Sequence, residues 1–206
     1  MIVLLDLQHR GRRSRPADLG AEFDVDGDGR VESDEREANL TPIYALACAD
    51  ALGLVGGIEV LLLAAGEYAE RQAVAVALAA NRPSERIAYV ACHLNAGGGS
   101  YGLVIHDSRS SGGRQLAEAV AVALKLPELD KVVVGTTDEF PRAAGTIGGV
   151  FSGPPNISGV CFEPFFLDQP RHSSRGAVKP AALSEPDGLR RVGAALAVGL
   201  LTWGGK

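Results

Sequence analysis

The residues of this chain best placed to do chemistry are a few histidines and carboxylates at the ends of apolar runs. His9 follows the first run in Asp6-Leu7-Gln8-His9-Arg10-Gly11. His93 ends another in Val90-Ala91-Cys92-His93-Leu94-Asn95-Ala96, and Glu163 a third in Gly159-Val160-Cys161-Phe162-Glu163. In parallel α/β sheets, ligands gather beyond the carboxyl ends of the strands. Residues far apart in sequence can therefore meet there. Two imidazoles and one carboxylate make a catalytic zinc set with a fourth position open to water.

A second pattern is local. Residues 24–35 read Asp-Val-Asp-Gly-Asp-Gly-Arg-Val-Glu-Ser-Asp-Glu. Against an EF-hand calcium loop, Asp24, Asp26 and Asp28 take the first three ligand positions. Gly29 takes the sharp turn, Arg30 offers its backbone carbonyl, and Glu35 supplies the closing bidentate carboxylate. Without a cation these carboxylates repel one another. The expectation is a structural Ca2+ that pins the loop.

These residues need a frame. Apolar, β-branched runs at 2–7, 58–63, 87–92, 102–106, 131–134 and 159–162 read as strands covered on both faces. Ala-rich amphipathic stretches lie between them. Helices are expected at 41–52, 67–80, 111–124 and 185–203, the first opened by Thr41 as cap and Pro42 in its first turn. The alternation predicts an α/β fold, a single domain over 1–206 with a mostly parallel twisted sheet and helices on both faces. The glycine- and proline-rich stretch 145–159 and the stretch 168–186 read as long irregular segments. Tyr44 and Trp203 are expected in the core.

Bulk properties set outer bounds. The chain has 206 residues, 46% hydrophobic and 22% charged, ordinary for a soluble globular protein. A net charge of −5 does not match nucleic acid or an anionic membrane. Arg10, Arg12, Arg13 and Arg15 form the one basic cluster, either a solvated loop or a contact for an anionic substrate. Cys48, Cys92 and Cys161 lack C-x-x-C spacing and read as small buried hydrophobes rather than a disulfide framework. No apolar run approaches the ~20 residues of a membrane helix. The first residues read as a strand, without an export signal.

Four motifs together resemble the zinc-dependent N-acetylmuramoyl-L-alanine amidases of the Amidase_3 family. Leu5-Asp6-Leu7-Gln8-His9-Arg10-Gly11 is similar to the family's Leu-Asp-x-Gly-His-Gly-Gly, and Asp18-Leu19-Gly20-Ala21 to its Asp-x-Gly-Ala. Glu37-Ala38-Asn39-Leu40 resembles the run that carries the second metal ligand. Ala91-Cys92-His93-Leu94-Asn95-Ala96 is similar to Ser-Ile-His-Ala-Asn-Ala, and Phe162-Glu163-Pro164-Phe165-Phe166-Leu167 to Val-Glu-Thr-Gly-Phe-Leu. The motifs fall in family order across nearly the whole chain. There are departures: Gln8 and Arg10 replace glycines, Val76 stands at the family's arginine, and Pro164 and Phe165 replace Thr and Gly. The calcium-type loop is an insertion.

The resemblance implies zinc on His9, Glu37 and His93, with Glu163 as catalytic acid and base. Glu35 competes with Glu37 for the zinc. Residues two apart on a helix point to different sides, so Glu35 is expected to close the calcium loop and Glu37 to reach the zinc. The implied substrate is peptidoglycan, cut at the amide between N-acetylmuramic acid and L-alanine outside the cytoplasmic membrane. With no export signal read, delivery by phage lysis or a phage-tail-like particle is expected. Two other classes are a zinc carboxypeptidase on a related scaffold and a non-catalytic wall-binding component. His106 and His172 carry no motif support.

Overall fold

The computed structural model describes residues 1–24, 28–167, 172–173, 176–177 and 182–205. In chain order, the elements are β1 (Ile2–Leu7), α1 (Glu37–Gly53), β2 (Glu59–Leu63), α2 (Tyr68–Asn81), β3 (Ile87–Cys92), β4 (Tyr101–His106), α3 (Ser111–Ala123), β5 (Lys131–Thr136), α4 (Ala144–Phe151), β6 (Ile157–Glu163), a hairpin of β7 (His172–Ser173) and β8 (Gly176–Ala177), and α5 (Pro186–Gly204).

Six strands make one sheet in the order β2-β1-β3-β6-β4-β5. The pairs β1–β2, β1–β3, β3–β6 and β4–β5 are parallel, whereas β4 meets β6 antiparallel. The expected mostly parallel sheet is therefore present. Hydrophobic runs do not encode strand direction, so the reversal of β4 and β5 was not legible.

Side chains alternate across the sheet, as strand geometry requires. From β1, Val3, Leu5 and Leu7 join one core with Tyr44 of α1, Leu116 of α3 and Leu196 of α5. Ile2 and Leu4 join the other with Ala75 of α2 and Val150 of α4. Helices thus cover both faces. Close packing on the first face depends on Gly193: a Cβ there would lie 2.3 Å from the Tyr44 carbonyl oxygen. Tyr44 and Trp203 are both buried, as expected.

Two helices differ from expectation. α1 begins at Glu37 rather than Thr41, and Pro42 sits inside it. The earlier start is stabilised from outside, because the Glu37 and Ala38 amides donate to the Ala21 and Leu19 carbonyls at 2.9 and 3.0 Å. α4 falls in the stretch read as irregular. Its glycines disfavour helix, but Gln72 of α2 clamps it. Gln72 Nε2 donates to the Gly145 carbonyl (2.9 Å), and its Oε1 accepts from the Gly149 amide (2.7 Å).

Candidate metal centre

The parallel run β1–β3–β6 places three carboxyl ends side by side. His9 lies just past β1, His93 just past β3, and Glu163 ends β6. His9 adopts φ +62°, a left-handed conformation that costs a non-glycine residue energy and is commonest at functional sites. The loop is tied to α2, since the His9 amide donates to the Tyr68 hydroxyl at 3.1 Å. The replacement of glycines by Gln8 and Arg10 is absorbed here. Gln8 is fully buried and donates to Asp6, while Arg10 is exposed.

Glu37 occupies the first turn of α1 and is almost fully buried. Its Oε1 meets His93 Nδ1 at 2.9 Å and His9 Nε2 at 3.5 Å. The same oxygen accepts from the Leu94 amide (2.9 Å), and Oε2 accepts from the Ala21 amide (2.7 Å). The imidazole rings of His9 and His93 stand 5.1 Å apart at 79°. One ligand atom from each of His9, Glu37 and His93 lies within 4.8 Å of the others. Gly20 keeps this space open: a Cβ there would lie 2.3 Å from Glu37 Oε2 and 2.8 Å from His9 Cδ2.

Further residues orient the set. Asp18 Oδ1 pairs with His9 Nδ1 at 2.9 Å, leaving Nε2 turned to Glu37. Asp18 is itself held by Arg12 (2.7 Å) and the Gly20 amide (3.1 Å). Such carboxylate–histidine pairs fix the ring and its tautomer in metal sites. Tyr44 donates to the His93 carbonyl at 3.0 Å.

Two imidazoles and one carboxylate suit zinc, and the electrostatics fit a cation. Burial pushes the Glu37 carboxyl up, but the hydrogen bond and charge of His93 and the charge of His9 outweigh it and hold it below its ordinary value. Burial disfavours the charged His93 ring, yet Glu37 and Glu163 raise its pKa overall. His93 Nε2 is buried without a hydrogen-bond partner among the described residues.

Glu163 faces a cavity of about 440 Å³ beside this cluster, shared with Asn95, Tyr101, Phe140, Arg142 and Phe166. Burial pushes its carboxyl above the usual range, partly opposed by the charge of His93. A half-buried carboxyl with a raised pKa next to a candidate metal cluster is equipped to take and return a proton.

The acidic loop ends where the zinc candidates begin. Asp24 Oδ1 accepts from the Asp28 amide (3.2 Å), and Oδ2 from the Gly29 amide (2.8 Å). Asp28 accepts from the Arg30 amide at 2.8 Å. Gly29 makes the sharp turn at φ +90°. Glu35 is buried and accepts from the Glu32 amide at 3.1 Å. Asp26 lies outside the described residues. The structure therefore turns Glu35 toward the loop and Glu37 toward the histidines. The cluster contains Glu37 rather than Glu35.

Other candidates fall elsewhere. Arg12 is bound to Asp18 and stacked over Tyr68 (4.4 Å), and Arg13 pairs with Glu70, so much of the basic cluster is engaged within the protein. His106 is buried at the far end of β4, its Nδ1 against the Asp107 carbonyl at 2.8 Å. The side chain of His172 lies outside the described residues. Two supporting residues had no sequence signal, Tyr68 and Arg71. Arg71 is buried on α2, bonded to Asp6 and to the Leu7 and Arg10 carbonyls. Arg71 lies on the same helix as Val76, the position at which the resemblance implies an arginine.

No family model and no curated protein matches the sequence. Solved structures do match. Cwp6 from Clostridium difficile aligns at 18% identity with a TM-score of 0.66, covering 98% of this chain and 29% of that one. N-acetylmuramoyl-L-alanine amidase AmiC2 of Nostoc punctiforme aligns at 16% identity and a TM-score of 0.67, covering 100% of this chain and 98% of that one. The N-acetylmuramyl-L-alanine amidase Ami1 from Mycobacterium smegmatis gives 20% and 0.65, covering 100% and 98%. The chain has the α/β fold of the N-acetylmuramoyl-L-alanine amidases.

Proposed function

We propose that this protein is a zinc-dependent N-acetylmuramoyl-L-alanine amidase that acts on peptidoglycan, in the cell wall outside the cytoplasmic membrane. One observation carries the reading. His9, Glu37 and His93 each bring a ligand atom within 4.8 Å of the others, and the half-buried Glu163, at the end of the strand paired with the one before His93, lines an adjoining cleft. His9, Glu37 and His93 would hold the zinc. When bound, zinc supplies Lewis acidity toward water and toward the amide carbonyl. Glu163 takes the proton of the attacking water and delivers it to the departing amine of L-alanine. Asp18 keeps the His9 ring turned to the centre.

The loop 24–35 is proposed to hold Ca2+ through Asp24, Asp26, Asp28 and Glu35 and the Arg30 carbonyl. The turn at Gly29 and the burial of Glu35 support this. The ion's role there is structural.

The reading is tested by metal analysis of the purified protein together with mass spectrometry of digested peptidoglycan. Bound zinc and new N-terminal L-alanine are expected. Release of free amino acids identifies a carboxypeptidase instead. Wall binding without zinc or products identifies a non-catalytic component.

A further inference from the structure

A second cavity, of about 200 Å³, opens at the opposite end of the sheet from the metal centre. The strand pairing fixes its place: on the antiparallel β4–β6 pair, Leu103 lies opposite Glu163 at one end and His106 opposite Val160 at the other. The cavity is built where α3 begins. Ser110 caps this helix, its hydroxyl accepting from the Gly113 amide at 2.9 Å, and its carbonyl accepts from Arg114 at 3.0 Å. The Ser111 and Gly112 amides have no partner among the described residues. They are the orphan donors that a helix start leaves over.

A second group points at the same space from the facing strand. Ser158 on β6 is only 6% exposed, and its hydroxyl has no hydrogen-bond partner among the described residues. It lines the cavity, and its Oγ lies 2.5 Å from where a Cβ on Gly112 would stand. The residue is nine-tenths buried yet lines the cavity, so its unused hydroxyl is available to donate to a ligand oxygen there. At the rim, Arg109 stacks over Phe151, its guanidinium carbon 4.2 Å from the ring centre. Its Nε and Nη2 grip Asp107 at 2.9 and 2.8 Å. The Asp107 charge is therefore matched and does not cancel the positive end of the helix.

We infer that this cavity binds a phosphate group, free or as a monoester. Amides from a helix start and a hydroxyl from the opposite wall approach from different directions. That arrangement suits a tetrahedral anion with several acceptor oxygens. Ile147, Val150 and Pro155 give the remaining wall apolar character, suited to an ester substituent. The inference does not depend on the amidase reading.

The test is a titration of isotope-labelled full-length protein with inorganic phosphate, in phosphate-free buffer at fixed ionic strength, read by amide NMR. Saturable shifts at Ser111 and Gly112 are expected. Ser158→Ala removes one charge-assisted hydrogen bond and should weaken binding about tenfold. Ser111→Pro deletes one donor by another route. Proline is tolerated at the first helical position, and Ser110 already has the extended backbone (φ −96°, ψ 106°) that a following proline requires. It should weaken binding to a similar degree with the helix intact. Phenyl phosphate separates the two sources: tighter binding than inorganic phosphate marks a monoester site, and equal binding a site for the free anion. Absence of saturation at Ser111 and Gly112, or unchanged affinity in both variants, overturns the inference.

Discussion

At the scale of single residues, the proposed mechanism separates holding a metal from moving a proton. Glu37, surrounded by donors from His93, Leu94 and Ala21, is the residue proposed for the former. Glu163, with its carboxyl pushed up by burial, is the one proposed for the latter. Glu163→Gln keeps the shape but cannot carry the proton. Turnover should fall by about 10²- to 10⁴-fold with zinc content unchanged; a fully active variant removes Glu163 from the mechanism. As a base, Glu163 must be ionised. Because its pKa lies above the ordinary 4.5, the acid limb of kcat/KM should fall at a pH above that value and vanish in the variant. Asp18 acts only through His9. Asp18→Ala should lower zinc affinity by about 10- to 100-fold, measured by competition with a chelator, while the fold persists.

At the scale of elements, the metal loop is strapped to α2 by one buried side chain. Arg71 donates to Asp6 (2.6 Å), to the Leu7 carbonyl (2.7 Å) and, through Nε, to the Gly66 carbonyl (3.0 Å). Tyr89 also donates to Asp6. Even so, burial keeps the Asp6 carboxyl above its ordinary value, so the pair offsets its desolvation only in part. Arg71→Ala leaves Asp6 buried without its counter-charge, with only the neutral donors Gln8 and Tyr89. It should cost about 3–5 kcal/mol by chemical denaturation and loosen zinc. The sign of its pH dependence follows. Asp6 in the folded variant prefers its neutral form, so the penalty is smallest below the ordinary pKa of 3.8 and grows as pH rises. This strap also shows what sequence could not reveal. His9, His93 and Glu163 were legible because polar residues stand out at the ends of apolar strands. Arg71 and Tyr68 sit on a helix whose docking against β1 is decided by tertiary packing. α4 was illegible for a similar reason, since its helix rests on Gln72 of a neighbour rather than on its own glycine-rich sequence.

At the scale of the whole molecule, the sheet gathers His9, His93 and Glu163 at the carboxyl ends of its interior strands, but the third metal candidate comes from the long β1–α1 connection. That connection contains the acidic loop. Its two ends are joined by the Glu22–Arg36 bridge and by the Phe23 amide on the Glu35 carbonyl at 3.3 Å. The chain leaving the bridge runs through Ala21, which binds both the backbone and the carboxylate of Glu37. A cation held by Asp24, Asp28 and Glu35 would therefore fix the segment that aims Glu37 at the histidines. Without it, the repelling carboxylates favour an opened loop and a longer reach from Glu37 to His93. Dialysis into calcium-free buffer should then lower both zinc retention and activity, and added Ca2+ should restore them. Asp24→Ala should reproduce the calcium-free behaviour in the presence of Ca2+, because it removes the carboxylate that accepts from Asp28 and Gly29. Zinc content and turnover indifferent to both treatments would show that the backbone bonds between Ala21 and Glu37 hold the carboxylate in place unaided.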